Sequence, residues 1–281
     1  MLKAAVRLGE RVVSIVRPAT IFFAIAVAHP ALAAGAPDFS GLWLRTGDLW
    51  FDAVSETDAA KPVQRLETRG PNAEDIWAGD YDNAILQPWA RAIVQRNAES
   101  EIRVQHVFTA DDTCWPSGVP QAVNLIGPVR FLQARDRVEI IYERDHQVRR
   151  IWLTGRHSAP VKPSWYGESV GHYEGDALVV DTIGLKAHKM SVVDPFGTPH
   201  TNRLHVVERY RPYATPFGKS IEVTVTVEDP GAFTAPWTGT AEYTQDKATT
   251  EMDEIVCAEN NRDFPEGSTF GTIPQSPTPD F

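Results

Sequence analysis

The chain has 281 residues, of which 42% are hydrophobic and 23% charged, so it contains enough apolar side chains for a folded core. Its 37 acidic residues outnumber the 27 basic ones and give a net charge of −10, which argues against a nucleic-acid-binding protein. With 21 Pro, 19 Gly and no sustained heptads, a coiled coil and a collagen-like chain are excluded as well.

The first segment has the features of a secretory signal peptide. Basic residues at positions 3, 7, 11 and 17 precede an apolar run over residues 21–28, and Ala31-Leu32-Ala33 fits an A-x-A cleavage site. The apolar run is too short to span a bilayer stably. We predict that residues 1–33 are removed and that residues 34–281 form one domain, periplasmic or secreted, without stable membrane insertion. The alternative is an uncleaved membrane anchor.

One helix is predicted in the mature chain. The opening residues 38–43 suit a strand, and the polar, irregular stretch 52–83 suits a surface loop. Ile85, Trp89 and Ile93 then recur at helical spacing, and Pro88 near the start is tolerated because a first-turn N–H has no helical partner. These features predict a helix over about residues 85–100.

Beyond residue 111 the hydrophobic period changes to two, which indicates strands. Turn-forming Gly and Pro clusters separate the predicted strands, which cover residues 138–143, 148–153, 168–173, 177–183, 203–210, 221–227 and 240–245. Many consecutive strands without intervening helices favour an antiparallel barrel or sandwich. The Pro-rich tail, about residues 260–281, is predicted to be loosely held.

Several blocks carry a family resemblance. They are D-F-S-G-L-W at 38–43, C-W-P-S-G-V-P at 114–120, and W-Y-G-E-S-V-G-H-Y-E-G-D-A-L-V-V-D-T at 165–182. On these blocks the chain resembles a family of exported, largely uncharacterised bacterial proteins, and it departs from their pattern at Tyr173, where Trp is usual. Gly41-Leu42-Trp43 is also similar to the G-x-W opening of lipocalins and other calycins. That resemblance implies an all-β, antiparallel, lipocalin-like barrel around a hydrophobic ligand, here with one helix and long surface loops.

Cys114 and Cys257 are the only two cysteines. In an oxidising compartment they predict one disulfide, with two buried free thiols as the alternative. The two cysteines lack the spacing of a metal site. The histidines also lack H-x-H and H-E-x-x-H spacing, so no metal is predicted.

Residues 167–171 match the G-x-S-x-G motif of α/β-hydrolases, with Asp181 and His200 following in the right order. That motif needs a buried strand before it and a helix after it, whereas here a glycine-centred hairpin follows. We therefore do not expect Ser169 to be a nucleophile. The glycines are expected to serve strand curvature or close packing.

Ionisable side chains alternate with apolar ones on several predicted strands. Inside a barrel such groups would need partners, and their pKa values would be shifted, as acid–base catalysis requires. We predict that the catalytic set lines the barrel interior, the alternative being that each group faces solvent. The set is Arg150, Glu168, Asp181, His200 and Tyr142.

A second group of residues is predicted to bind substrate. His157 and His200 stand at strand ends near loops, where a barrel mouth displays functional groups. Trp115 and Trp165 are flanked by Pro and polar residues, which favours a position at a pocket mouth rather than in the core. The predicted substrate-binding residues are His157, Trp165, Trp115 and Trp152.

The first functional hypothesis is an exported, cofactor-independent enzyme that binds a small hydrophobic or aromatic molecule in a barrel pocket. Arg150 would hold an anionic oxygen and Tyr142 would donate a hydrogen bond, while Glu168, Asp181 or His200 would move a proton in a lyase, dehydratase or isomerase reaction. No phosphate-binding loop or Rossmann fingerprint indicates a nucleotide cofactor.

Two alternatives stay open. One is a non-catalytic periplasmic carrier of a lipid or aromatic molecule, of lipocalin type, and the other is a structural envelope protein with a filled barrel. The enzyme hypothesis requires the ionisable set to meet in one cavity.

Overall fold

The computed structural model describes residues 36–55, 60–67, 76–103, 105, 107, 109–110, 113–153 and 155–255. The predicted signal peptide and the predicted loose tail lie outside these residues. The described residues all belong to one compact unit, Ala31–Phe281. Within them no helix is long and apolar enough to cross a membrane.

Ten strands and one α-helix form the described part of the chain. The helix is α1 (Pro88–Ile102). The strands are β1 (Leu42–Thr46), β2 (Asp52–Ala53), β3 (Pro128–Gln133), β4 (Arg137–Tyr142), β5 (Val148–Trp152), β6 (Glu168–Glu174), β7 (Ala177–Ile183), β8 (His205–Thr215), β9 (Gly218–Glu228) and β10 (Trp237–Asp246).

Nine of these strands close into a barrel, which confirms the predicted fold class. The order is β1-β3-β4-β5-β6-β7-β8-β9-β10, β10 pairs back onto β1, and β2 adds a short edge to β10. One detail differs from the prediction: β5 and β6 pair in parallel, whereas every other neighbouring pair is antiparallel. Parallel neighbours need a crossover rather than a tight turn, and residues 153–167 provide it.

The barrel interior is packed with side chains. Alternate residues of each strand point inward, so that Val138, Ile140 and Tyr142 of β4 are all buried. The ring of Trp43, from the G-x-W element, is fully buried, and its Nε1 donates a hydrogen bond to the Phe39 carbonyl at 2.8 Å. Each large apolar side chain buried in this way stabilises the fold by about 1.5–3 kcal/mol.

Helix α1 packs through small residues. Ala90, Val94 and Ala98 recur at intervals of four and are buried, whereas Trp89 is 42% exposed. The helix therefore presents a different face from the one predicted by Ile85 and Trp89, because it begins at Pro88 and Ile85 lies before its first turn.

The two ends of the barrel differ in the length of their connections. Tight turns at 134–136, 175–176 and 216–217 join strands at one end. The other end, called the mouth here, carries the segments 47–51, 121–127, 143–147, 184–204 and 229–236. Binding groups are often carried by long surface segments on a rigid scaffold. A binding site is therefore expected at the mouth.

Candidate functional site

The prediction that Arg150 lines the barrel interior is wrong. Its side chain lies on the outer face, 51% exposed, and Nε donates to the Glu139 carboxylate at 2.9 Å. The neighbouring Arg149 is the inward residue and is 1% exposed. A strand alternates its faces at every residue, so this error is a shift of one position.

Glu168 and Asp181 also lie on the outer face, in what we call the outer cluster: His157, Ser158, Glu168, Asp181 and His205. His157 lies 3.1 Å from each of the two carboxylates, and His205 lies 3.1 Å from Asp181. Hydrogen bonds from the Ser158 hydroxyl and N–H lower the pKa of Glu168. Within the described residues no His, Cys, Asp or Glu group is arranged to hold a metal.

The structure therefore brings three predicted residues together, His157, Glu168 and Asp181, but at a solvent-exposed surface rather than in a lumen. Trp152, predicted to bind substrate, is also on the outer face, 38% exposed, with the Arg150 guanidinium 5.4 Å from its ring.

Tyr142 is the one predicted catalytic residue that faces the lumen. It is fully buried, and burial raises its pKa to about 12. Its ring stacks on that of Tyr166, with the centroids 6.4 Å apart. A phenol held so firmly in its neutral form is a hydrogen-bond donor rather than a base near neutral pH.

Beside it lies a group that the sequence did not reveal, the lumen polar core: Arg149, Ser169, Thr182, Glu208 and Tyr210. Arg149 donates to both carboxylate oxygens of Glu208, at 2.8 Å for Nη1, and to Ser169 and Thr182. Tyr210 donates to Glu208 at 2.8 Å. Ser169, the serine of the G-x-S-x-G match, lies on strand β6 and is a buried hydrogen-bond partner of Arg149. Strand β6 is followed by strand β7 and not by a helix.

The second glycine of that motif, Gly171, has the close-packing role expected of it. A Cβ at Gly171 would lie 2.8 Å from the Ile151 side chain, so a larger residue would clash inside the barrel.

Trp115 contacts Trp165, which lies shortly before the start of β6. Their ring centroids are 5.1 Å apart in an edge-to-face arrangement, and the His188 imidazole stacks on Trp115 at 4.9 Å. The Lys186 ammonium lies 5.9 and 5.4 Å from the two indole rings. A role for this tryptophan pair in binding substrate stays a prediction.

His200 is buried in the loop that precedes β8, and within the described residues no hydrogen bond links it to the other predicted catalytic residues. Its Nε2 lies 2.7 Å from the Ser191 hydroxyl, and its Nδ1 lies 2.8 Å from the Thr201 carbonyl. Burial lowers the pKa of His200, partly offset by the Thr201 carbonyl and the charge of Asp229.

A cavity of about 250 Å³ opens at the mouth. Residues from six separate segments line this mouth cavity, so it cannot be predicted from the periodicity of the sequence. They are Leu49, Trp77, Glu101, Val107, Thr109, Gln121, Asn124, Leu125, Ile126, Arg144 and Pro195.

Two of the lining residues, Gln121 and Asn124, carry buried amides with unused hydrogen-bonding groups. They stand on one 3-10 turn and are 6% and 3% exposed. The Gln121 carbonyl oxygen and both polar atoms of Asn124 have no hydrogen-bond partner among the described residues. Such an amide costs about 1–3 kcal/mol to bury, so its persistence calls for an explanation such as a ligand or an ordered water.

The predicted disulfide stays a prediction, because Cys257 lies outside the described residues. The Asp145 N–H donates to the Ile255 carbonyl, and the Ser117 N–H donates to the Gln147 side chain, at 3.1 and 3.4 Å. The chain close to each cysteine therefore approaches the same turn between β4 and β5.

Comparisons with protein-family models, with curated proteins and with solved structures gave no match for this chain. The resemblances to the exported family and to lipocalins therefore remain expectations. The barrel and the geometry at its mouth are the basis on which a function can be proposed.

Proposed function

We propose that this protein binds a small, uncharged organic molecule in the mouth cavity, with Gln121 and Asn124 recognising its polar groups. The observation that carries the proposal is the buried carboxamide of Asn124, whose donor and acceptor are both unused. A ligand that offers an acceptor beside a donor would satisfy both.

The cavity walls indicate the rest of the ligand. Leu49, Trp77 and Leu125 supply apolar and aromatic surface beside the amides. Binding pockets combine such surface with a few polar groups that fix orientation. The volume of about 250 Å³ lies just below the usual range for drug-sized ligands, which favours a molecule of one or two rings. A lactam or cyclic amide has the matching N–H and C=O pair.

This proposal follows the carrier alternative, with the site moved from the lumen to the mouth. The lumen is filled by packed side chains, among them Trp43, Tyr210 and Tyr243. The acid–base lyase or isomerase hypothesis needed Arg150, Glu168 and Asp181 inside a common pocket, and the outer face on which they lie does not support it.

Export is part of the proposal. It is supported by the basic start, the short apolar run and the A-x-A pattern of residues 1–33. A periplasmic or secreted binding protein with a small cavity of mixed apolar and polar lining would capture a diffusible nutrient or signal molecule. The acidic net charge of −10 argues against nucleic acid as a partner, so none is proposed.

The test begins with ligand retention. The mature protein is purified from the periplasm of its own cells, and bound small molecules are identified by native and denaturing mass spectrometry. Binding of 2-pyridone, as a one-ring lactam probe, is measured in parallel by calorimetry.

The matched variants are Asn124→Leu and Asn83→Leu. Asn83 is also a buried amide, but it is fully engaged, with hydrogen bonds to the Lys61 and Pro62 carbonyls and the Ile85 N–H. Asn124→Leu should abolish retention and weaken probe binding at least about tenfold, whereas folded Asn83→Leu should retain both. Equal binding by wild type and Asn124→Leu would exclude the cavity as the site.

A further inference from the structure

The loop between β7 and β8 holds a serine and a histidine in the relation of a nucleophile to its base. The Ser191 Oγ lies 2.7 Å from His200 Nε2, and His200 Nδ1 lies 2.8 Å from the Thr201 carbonyl oxygen. A carbonyl only accepts hydrogen bonds, so Nδ1 must carry the imidazole proton. The lone pair of Nε2 therefore faces Ser191, and the serine hydroxyl donates to it.

The state of the imidazole suits a general base. His200 is 6% exposed, and its burial lowers its pKa, so the neutral ring predominates near neutral pH. A neutral imidazole with a free Nε2 lone pair can accept the proton of a hydroxyl as that hydroxyl attacks a carbonyl carbon.

A buried carboxylate fixes this geometry through Thr201. Asp229 is 1% exposed and accepts hydrogen bonds from the Thr201 N–H and, at 2.7 Å, from its hydroxyl. Thr201 is thereby held so that its carbonyl meets the imidazole. In serine hydrolases a carboxylate usually bonds the imidazole directly; here Asp229 is a positioning residue that acts one residue away.

The surroundings of Ser191 point to the class of substrate. The Ser191 N–H donates to the His188 carbonyl at 2.9 Å, which ties it to the histidine that stacks on Trp115. A Cβ built on Gly118 would lie 4.0 Å from Ser191 Oγ and 2.8 Å from the Trp165 backbone carbonyl, so Gly118 lies between the hydroxyl and the backbone of Trp165. The hydroxyl therefore lies close to the backbone of Trp165, whose ring packs against the rings of Trp115 and His188 at 5.1 and 5.4 Å between centroids.

A substrate at Ser191 would meet an unused hydroxyl and little free space. Ser117, next to Gly118, has a buried hydroxyl with no partner among the described residues, which leaves a donor unused in this region. Ser191 is only 4% exposed, so a group that reaches its hydroxyl must be small.

We propose that Ser191 is a nucleophile, with His200 as its general base, that hydrolyses aryl esters of small carboxylic acids. This activity goes beyond the proposed binding function, and it uses residues that do not line the mouth cavity.

The chemistry proceeds in two steps. The Ser191 Oγ forms a bond to the ester carbonyl carbon while its proton passes to His200 Nε2; the carbon–oxygen bond to the aryl group then breaks, and the phenol leaves with that proton. Water next attacks the acyl-serine ester and gives a proton to His200, which returns it to Ser191 as the carboxylic acid departs. Ester and water are thereby converted to acid and phenol.

The test uses the mature full-length protein and 4-nitrophenyl acetate. We expect nitrophenolate release above the spontaneous rate and an acetyl group on the tryptic peptide that spans residues 190–203, found by mass spectrometry after acid quenching. Ser191→Ala should remove both signals, and His200→Gln should slow release by about a hundredfold. Ser158→Ala, an exposed hydroxyl of the outer cluster, is the matched control and should change neither.

A folding failure is guarded against by a second variant. Ser191→Cys keeps a nucleophile beside His200, and the introduced thiol should react with iodoacetamide much faster than a free cysteine at pH 7. Absence of acetylation in the folded wild type, unchanged release in folded Ser191→Ala, or an unreactive thiol in Ser191→Cys would each overturn the proposal. None of these results would affect retention of a ligand in the mouth cavity.

Discussion

In the lumen, Arg149 donates hydrogen bonds to Glu208, Ser169 and Thr182, whereas at the mouth the side-chain amide of Asn124 is also buried and bonds to none of the described residues. Both regions bury polar atoms, and burial without partners is unfavourable. The paired groups of the lumen polar core contribute to the stability of the fold. A group that stays unpaired indicates a requirement other than stability, and we propose that this requirement is ligand binding.

The difference between the two regions predicts two kinds of effect on substitution, one on stability and one on binding. Substitutions in the lumen polar core should damage stability, because each one leaves a buried partner without its bond. A substitution of the unused amide should leave stability intact or improve it, and should damage binding instead.

Arg149→Met should give the largest loss. It removes the cation that Glu208 faces, and a buried carboxylate without its partner destabilises a fold by about 3–5 kcal/mol. Denaturant unfolding monitored by tryptophan fluorescence measures the change. The double variant Arg149→Met/Glu208→Leu removes both charges and should be more stable than the single variant. If the double variant were the less stable of the two, the ion pair would not be the source of the loss.

Asp194 is intermediate between the paired arginine and the unpaired amide. Its carboxyl group is buried, and its hydrogen bonds offset only part of the cost of burying the charged form. It accepts hydrogen bonds from the Phe196 and Thr198 N–H groups, yet burial raises its pKa from 3.8 to about 6. The folded state therefore keeps a proton that the unfolded state has released, so the free energy of unfolding falls as pH rises from about 4 to 6.

Asp194→Asn should remove this fall. The stability of the variant relative to wild type should increase with pH over that window by up to about 3 kcal/mol and stay constant above it. Urea unfolding at a series of pH values measures the difference. Parallel curves for the two proteins would show that Asp194 does not titrate in the way described.

Asn124→Leu tests the unused amide directly. Replacing it with an apolar side chain of similar size should raise the free energy of unfolding by about 1–2 kcal/mol in ligand-free protein. Asn83→Leu, which breaks three hydrogen bonds, should lower it by about 1–3 kcal/mol. Thermal unfolding of both variants beside wild type provides the measurement. A loss at Asn124 as large as that at Asn83 would mean that its amide has a structural partner.

Arg150→Met should have the smallest effect. Its ion pair with Glu139 lies on the outer face and is half exposed, and such pairs contribute about 0–1 kcal/mol. Two adjacent arginines of one strand should thus differ severalfold in the same unfolding assay. Raising the salt concentration should reduce the small contribution of Arg150 further.

The fold class could be predicted because alternation of apolar residues is a local property of a strand. Strands β4 to β10 each overlap a predicted strand, β7 matches at both ends, and β8 extends five residues beyond its predicted end. Strand β3 was missed, since Pro128 and Arg130 interrupt its apolar pattern. The parallel pairing of β5 and β6 was also missed, because pairing depends on where the crossover of residues 153–167 returns to the sheet.

The site was harder to predict, and β5 shows why. In Val148-Arg149-Arg150-Ile151-Trp152 both faces carry one arginine and apolar residues, so periodicity cannot choose the inward face. Strand β8 held a usable signal: Glu208 alternates with Val206 and Tyr210, which marks a buried carboxylate in need of a cation. The mouth cavity left no such signal, since its lining comes from residues that meet only in the folded chain.

Closure of the barrel has a consequence for how the chain reaches this structure. Leu42 pairs with Asp246, so the seam joins the first barrel strand to the last. Until β10 has been made and released, β1 and β9 each have an open edge, and such edges invite pairing with other chains. Contacts between segments so far apart in sequence also form slowly. We therefore expect the early strands to need protection during synthesis, and a truncation before residue 237 to aggregate rather than form a smaller barrel.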